Sequence, residues 1–240
     1  DSIFKSYHLN GKPNATGNYL LGDKHGKWKT YYDNGKLSNE ETYEYGNING
    51  MSKVYHEYDG NIQKEIEYKN GTVHGTFKQY GEAGNLAYVL NFDDGYLVSY
   101  SYEGKDGKLV PAIELKNATG KLITYYKNGN KSAEIDYDDN LINGTRNIYF
   151  SNGKPFIISE RAFGEETKTK KVFYPNGNPE SEENHYEDEL HGTCKYYFTN
   201  GKIKAEENYY LGKLNGICKY YDEATGKETI KVFYYGELIK

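Results

Sequence analysis

Long apolar stretches are missing from this 240-residue chain, which contains one methionine, one tryptophan, two cysteines and five prolines. Apolar residues make up 36% of the sequence, and the mean hydropathy is −0.93. A compact globule of this length needs more leucine, isoleucine and valine to fill one shared core. No segment approaches the roughly 20 apolar residues of a membrane-spanning helix. This argues against membrane insertion.

A sustained basic run is missing too. The formal net charge is −5 with a pI near 5.8, and a threonine interrupts the densest basic cluster, Lys168 to Lys171. Proteins that bind nucleic acids or anionic membrane surfaces usually carry a basic stripe. We therefore expect no nucleic acid partner. The chain begins at Asp1 rather than at a methionine, which is compatible with a removed signal peptide and slightly favours export to the periplasm or cell surface.

Tyrosine and glycine are abundant, at 28 and 27 residues, and both are periodic. One set of glycines recurs every 22 to 25 residues: Gly11, Gly35, Gly60, Gly84, Gly107, Gly129, Gly153, Gly177, Gly201 and Gly226. A second set has the same period, with Ser99 and Thr169 in two registers: Gly26, Gly50, Gly75, Gly120, Gly144, Gly192 and Gly216. A tyrosine follows five residues later in eight registers: Tyr31, Tyr55, Tyr80, Tyr125, Tyr149, Tyr174, Tyr197 and Tyr221. This regularity predicts a single repeat array over residues 1–240.

Each repeat reads as two strands and two turns. In "KWKTYY" (Lys27 to Tyr32), aromatic and β-branched residues alternate with lysines, as in strands. The NG and DG dipeptides predict type I′ hairpin turns, and the second set of glycines is expected to bracket a longer loop. We therefore predict an all-β fold, an elongated antiparallel β-meander or solenoid-like array of about ten 24-residue β-hairpin repeats. The expected structural turns include Gly35, Gly50, Gly75, Gly129, Gly144, Gly177, Gly192, Gly201 and Gly216.

The combined pattern Y-x-N-G-K-x-x-x-E-x-x-Y-x-x-G-x-x-x-G-x-x-x-x-Y resembles the MORN-repeat variant family. The clearest copies are "YDNGKLSNEETYEYGNINGMSKVY" (Tyr32 to Tyr55) and "YFTNGKIKAEENYYLGKLNGICKYY" (Tyr197 to Tyr221). The resemblance implies an elongated β-hairpin array without catalytic machinery. Many bacterial members are classed as YwqK-type antitoxins, proposed to neutralise a partner toxin. Classical MORN proteins have been linked to membranes and to protein scaffolding.

Two segments depart from the pattern. Around residues 86–116 the second glycine is Ser99, and around residues 155–171 Ile158 replaces the glutamate while Thr169 replaces the glycine. Either segment is a bend in the array or a specialised contact surface. The bend is the interpretation that we favour.

Acids and histidines recur with the repeats and are not clustered in one candidate active site. Adjacent acids such as Glu40 and Glu41 point to opposite faces of a strand, so they cannot act together as a catalytic pair. Three histidines, His25, His74 and His191, each precede a glycine of the second set, and they are too far apart in the sequence to share one metal. The acid pairs Asp93–Asp94 and Asp138–Asp139 are typical of turns. We expect no enzyme activity, no cofactor and no metal.

Cys194 and Cys218 are one repeat apart. In a hairpin meander, equivalent positions lie two strands apart, about 9.6 Å, whereas a disulfide needs Cα atoms within about 7 Å. The meander therefore predicts free thiols.

Protein binding is the function that this pattern favours, because a tyrosine-rich array offers a long amphipathic contact surface. The candidate surface is the row of eight tyrosines from Tyr31 to Tyr221, and the expected partner is a toxin or a surface protein. The alternative is a cell-surface or periplasmic module in which tyrosines stack on a glycan or another ligand. Open sheet ends also predict weak end-to-end self-association.

Overall fold

A computed structural model describes residues 2–81 and 84–240. In this part of the chain the regular structure is mostly β-strand, with a 3-10 turn at Lys116–Ala118. The chain divides into two compact units: residues 1–118 with 124–129, and residues 119–123 with 130–240. None of the helical structure in the described residues has the length and apolar character needed to cross a membrane.

The first antiparallel sheet has 11 strands in sequential order, with β5 beside β4. Its strands are β1 (Ser2–Tyr7), β2 (Pro13–Leu20), β3 (Asp23–Tyr31), β4 (Leu37–Glu44), β5 (Asn47–Ile48), β6 (Gly50–Tyr55), β7 (Ile62–Lys69), β8 (Thr72–Tyr80), β9 (Leu86–Asp93), β10 (Tyr96–Ser101) and β11 (Ile113–Glu114).

The second antiparallel sheet has 14 strands, also in sequential order, with β16, β19 and β22 beside β15, β18 and β21. Its strands are β12 (Gly120–Tyr125), β13 (Lys131–Asp138), β14 (Leu141–Tyr149), β15 (Pro155–Ala162), β16 (Glu165–Glu166), β17 (Thr169–Phe173), β18 (Pro179–Tyr186), β19 (Glu189–Leu190), β20 (Gly192–Tyr197), β21 (Ile203–Tyr210), β22 (Lys213–Leu214), β23 (Gly216–Tyr221), β24 (Glu228–Tyr234) and β25 (Glu237–Leu238).

The predicted all-β antiparallel meander of hairpins is confirmed. Many strands have eight or nine residues, because the turn signals are spaced by about half a period. The two irregular segments lie in different units: residues 86–116 contribute β9, β10 and β11, and residues 155–171 contribute β15, β16 and most of β17. A single array over residues 1–240 stays a prediction.

The NG loops at the first set of glycines are not the predicted type I′ turns. The Gly35 N–H donates to the Tyr32 carbonyl at 2.9 Å, and the Tyr32 N–H donates to the Lys36 carbonyl at 2.8 Å. Gly35 supplies the one positive φ of this described loop, at 87°. The turn is therefore a three-residue loop, in which a type I turn is followed by a left-handed glycine. Asn34 is used differently, because its side-chain oxygen accepts the Lys36 N–H at 2.9 Å.

The type I′ turns lie at the opposite ends of the strands. Leu21 (φ 53°) and Gly22 (φ 94°) connect the paired residues Leu20 and Asp23. Their twist matches that of the flanking strands, which is why hairpins favour this turn. The NG dipeptide Asn70–Gly71 and the DG dipeptide Asp94–Gly95 form such turns, as predicted. Sequence reasoning missed the others that begin with a bulky residue, because such a residue is strained in the left-handed region. Equivalent left-handed residues precede glycine at Tyr45, Asn70, Asp94, Phe163, Leu211 and Tyr235.

The second set of glycines marks bulges rather than the predicted longer loops. Between the pairs Asn18–His25 and Thr16–Lys29, one residue of β2 lies opposite three residues of β3. Gly26 lies within this bulge and has φ 70°. Such bulges increase the local twist of a strand pair.

Consecutive NG loops are tied together by their asparagines. Asn10 donates to the Asp33 carbonyl at 2.7 Å, and Asn176 donates to the Thr199 carbonyl at 2.7 Å. Each asparagine reaches a residue 23 positions further on, in the next repeat. The repeated asparagine therefore couples neighbouring repeats as well as shaping its own loop.

The first unit has its aromatic centre at Trp28, which is 3% exposed. Its ring lies 5.3 Å from that of Phe4 and 5.1 Å from that of Tyr19, and its indole N–H donates to the Asn18 carbonyl at 3.1 Å. Gly17 leaves room for the indole, because a Cβ there would lie 2.2 Å from Trp28 Cδ2. Other buried apolar residues of this unit include Ala87, Tyr88, Val89, Leu90, Leu97, Tyr100 and Leu115.

The second unit buries many small side chains. Most of them are Ala, Ser or Cys on strands. They include Ser132, Ala133, Ser159, Ser181, Cys194, Ala205 and Cys218, with larger buried residues at Leu122, Ile135, Ile148 and Phe150.

Candidate interaction surface

The predicted tyrosine row lies at the ends of strands, each tyrosine at or directly after the last residue of its strand. Tyr125 is exposed at 36%. The other seven are half-buried: Tyr31, Tyr55, Tyr80, Tyr149, Tyr174, Tyr197 and Tyr221. Most of this row is therefore partly covered by the sheet itself.

Hydroxyl groups in this row bind glutamates of neighbouring strands. Tyr55 donates to Glu40 and Tyr80 donates to Glu65, each at 2.7 Å. Burial and then the hydrogen bond to Glu40 raise the pKa of Tyr55 to about 12. Hydrogen bonds from Lys29 and Tyr55 lower the pKa of the Glu40 carboxyl. These tyrosines stay neutral donors to ionised carboxylates, so their first role is to join strands.

Lysine and glutamate alternate along the same row of strand pairs. Lys29 pairs with Glu40 at 2.8 Å, and Glu65 lies 3.3 Å from Lys53 and 3.7 Å from Lys78. Opposite charges across neighbouring strands stabilise a sheet modestly when they are half-exposed. The second unit repeats the alternation in register at Lys171, Glu182, Lys195, Glu206 and Lys219.

Adjacent acids do point to opposite faces. Glu40 lies opposite Lys29 and Glu41 lies opposite Trp28 in the strand register. Glu41 accepts a hydrogen bond from Tyr43 at 2.7 Å, on the face away from Lys29. The two carboxylates therefore serve two separate networks.

The glycines predicted as structural turns divide into two groups, and all nine have positive φ. One group closes three-residue loops: Gly35, Gly129, Gly177 and Gly201. The other group lies at bulges or strand starts: Gly50, Gly75, Gly144, Gly192 and Gly216.

His74 meets both acids of the pair Asp93–Asp94, which sequence reasoning treated separately. Its Nδ1 lies 3.5 Å from Asp93 Oδ1 and 3.2 Å from Asp94 Oδ1, and the Asp94 N–H donates to this nitrogen at 3.3 Å. All three side chains are substantially exposed, the aspartates at more than 70%. The cluster accounts for local bonding at a type I′ turn.

Cys194 and Cys218 are free and buried, as the meander predicts. They lie on β20 and β23, and β21 separates these strands in the sheet. Burial raises the pKa of the Cys194 thiol, so it stays protonated and has the character of a packing residue.

A second set of tyrosines, which sequence reasoning missed, is more exposed than the predicted row. Tyr186, Tyr210 and Tyr234 are 54%, 44% and 62% exposed. We call them the exposed tyrosine row. They end β18, β21 and β24, directly before the left-handed turn residue of each hairpin. Their spacing of 24 residues was the available signal.

Ring contacts link this row across its hairpins. The His191 ring lies 5.9 Å from that of Tyr186 and 5.3 Å from that of Tyr210. Tyr235 lies 5.9 Å from Tyr210 and 4.7 Å from Tyr234, edge-on in both cases. Aromatic side chains thus form a continuous strip along one edge of the second unit.

Five segments of the chain match the family model described as MORN repeat variant: residues 24–45, 73–94, 118–139, 167–188 and 190–209. This chain carries MORN variant repeats. The first matched MORN segment contains most of β3, an NG loop and β4, and it ends at the left-handed Tyr45. The family unit is therefore the hairpin around a three-residue loop. A search of curated proteins found no match.

Proposed function

We propose that this chain is a noncatalytic scaffold that binds a protein partner. The observation that carries the proposal is the exposed tyrosine row, with its continuous aromatic contacts. Tyrosine combines apolar contact area with a polar hydroxyl at low entropic cost, and it is enriched in protein interfaces. MORN variant repeats also suit a binding role, since each repeat adds the same surface again.

The use of the acidic groups supports a noncatalytic role. Glu40 and Glu65 are held by lysines and tyrosines, and Glu207 accepts a hydrogen bond from Tyr209 at 2.7 Å. A catalytic acid or base needs access to substrate and a tuned proton affinity. These carboxylates are instead occupied by repeated structural contacts.

The finer form of the proposal is an antitoxin. In this form the partner is a toxin, and the scaffold covers its active surface. The formal net charge of −5 suits a basic partner, because complementary charge speeds association.

Capture of a partner followed by reconstitution of the complex tests both the scaffold and the antitoxin proposals. The tagged full chain is used to isolate partners from its native host, and each candidate is purified and titrated calorimetrically against the chain. A scaffold gives a stoichiometric complex with a defined protein. An antitoxin also restores growth when it is co-expressed with a partner that arrests growth.

Two results would contradict the proposal. One is the lack of any purified protein that binds the chain. The other is retention on a glycan array without a protein partner, which would favour the ligand-binding alternative.

A further inference from the structure

We propose that the exposed tyrosine row of the second unit binds an extended, positively charged protein segment, with Lys or Arg at about every third residue. This inference rests on the proposed protein-binding function and deepens it. It assigns the surface that makes contact and the chemistry of the partner segment.

The charge around the row selects a cationic partner. Glu187, Asp188, Glu189 and Glu237 are exposed beside the tyrosines, and Lys213 is the basic residue in the same three turns. The first and last turns of the row are therefore acidic, and acids outnumber bases by four to one over the three turns. Aromatic rings favour the same sign of charge, since Lys and Arg are attracted to their faces.

The spacing of the row fits an extended segment. Tyr186 and Tyr210 end β18 and β21, and β20 lies between these strands in the sheet. Two strand spacings amount to about 9.6 Å. A polyproline II segment repeats every three residues, about 9.3 Å at 3.1 Å per residue. Successive cationic side chains of such a segment would therefore meet successive tyrosines.

The surface is confined to the second unit. At the equivalent strand ends of the first unit the chain has mixed residues: Leu20, Glu44, Lys69 and Asp93. These form neither an aromatic strip nor a patch of one charge. The first unit therefore provides an internal comparison within the same chain.

Peptide binding tests the inference. The probe is a fluorescent peptide of four Arg-Pro-Pro triplets, and its anisotropy is followed as the full chain is added. We expect saturable binding that weakens with salt, no binding of the matching Glu-Pro-Pro peptide, and weaker binding when arginine recurs every fourth residue. The triple variant Tyr186→Ser, Tyr210→Ser, Tyr234→Ser should raise Kd roughly tenfold or more.

A matched control exists in the first unit. Tyr7, Tyr58 and Tyr96 are 62%, 90% and 63% exposed, so their triple substitution by serine removes rings elsewhere that are at least as accessible as those of the row. This control should leave Kd unchanged. If the row variant loses its circular dichroism signal, the double variant Glu187→Lys, Glu237→Lys replaces it, and it should also raise Kd roughly tenfold or more.

The inference is overturned if the Glu-Pro-Pro peptide binds as well as the Arg-Pro-Pro peptide. It is also overturned if the folded row variant, or the Glu187→Lys, Glu237→Lys variant used in its place, binds the cationic peptide with unchanged affinity. It is also overturned if the chain binds anionic vesicles or glycans but not the cationic peptide. If a reconstituted partner binds the row variant as tightly as the unchanged chain, this inference is wrong, whereas the proposed scaffold function stands. The absence of any protein partner would remove the proposed function itself.

Discussion

The Tyr55 hydroxyl donates a 2.7 Å hydrogen bond to Glu40, which also binds Lys29 at 2.8 Å. These three residues lie on β6, β4 and β3, three neighbouring strands of the first sheet. The contact therefore links two consecutive repeats through one carboxylate. It gives the predicted tyrosine row a structural role that is separate from any role in binding.

We predict that Tyr55→Phe lowers the free energy of unfolding by about 1 kcal/mol. A hydrogen bond to a charged group is worth about 1.5–3 kcal/mol, and partial exposure reduces that value. The matched control is Tyr31→Phe, because among the described residues the Tyr31 hydroxyl has no hydrogen-bond partner. Urea unfolding measures both variants. Equal losses in the two would show that the Glu40 contact contributes nothing.

Much of the fold was readable because its signals are local. The paired aromatics, alternating lysines and regularly spaced glycines specify strand, turn and period without reference to distant residues. The prediction that Cys194 and Cys218 are free thiols followed from the meander alone, and it is confirmed. The type I′ turns at Leu21 and Tyr45 were missed, since these residues adopt a backbone conformation that their side chains disfavour.

The candidate surface was only partly readable. The period of the sequence identifies equivalent tyrosines, but it does not show which of these side chains are buried by neighbouring strands. Tyr55 is half-buried by its bond to Glu40, whereas Tyr210 projects beside a turn and stays 44% exposed. Exposure depends on packing between neighbouring hairpins, which one repeat of sequence does not contain.

We predict that Leu21→Asn stabilises the first unit. Leu21 is 92% exposed and has φ 53°, so its side chain gains little from burial while its backbone is strained. Asparagine tolerates this conformation and creates the Asn-Gly pair preferred in type I′ turns. The expected gain is about 0.5–1 kcal/mol.

Leu9→Asn is the control for this change. Leu9 is also fully exposed, but it lies in the three-residue loop before Gly11 and lacks a positive φ. It should change the unfolding free energy by less than about 0.5 kcal/mol. Thermal and urea unfolding of the two variants separate backbone strain from the removal of an exposed leucine, and equal effects would rule out strain.

Alkaline pH should destabilise the fold through its tyrosines. Burial, followed by hydrogen bonding to Glu65, raises the pKa of Tyr80 to about 12, and burial raises that of Tyr196 to about 12. The folded pKa lies above the ordinary value of about 10. This contribution to stability is therefore complete below pH 10 and is lost as pH rises from about 10 to 12.

Ultraviolet absorbance of tyrosinate and circular dichroism, recorded together against pH, measure this effect. Tyr80→Phe should weaken the alkaline loss of stability, whereas Tyr58→Phe should not, because Tyr58 is 90% exposed. A single titration of all tyrosines near pH 10 with unchanged circular dichroism up to pH 12 would contradict the assignment.

Gly17→Ala should be among the most damaging small substitutions in the first unit. The added methyl group would lie 2.2 Å from Cδ2 of Trp28, and neither the indole nor the paired strand can move without disturbing the rings of Phe4 and Tyr19. Overpacking of this kind costs about 1–3 kcal/mol or more. Trp28 is the sole tryptophan, so its fluorescence reports the unfolding of this unit directly.

A double-mutant cycle distinguishes this clash from a general requirement for glycine. Trp28→Leu removes the atoms that the new methyl group would strike, so Gly17→Ala should cost much less in that background, with circular dichroism as the readout. Gly11→Ala supplies the comparison, because its site is open and only its φ of 82° penalises a side chain. If the clash with Trp28 is the cause, most of the stability lost on Gly17→Ala should be recovered in the Trp28→Leu background. If Gly17→Ala lowers the free energy of unfolding equally in both backgrounds, the strain lies in the backbone instead.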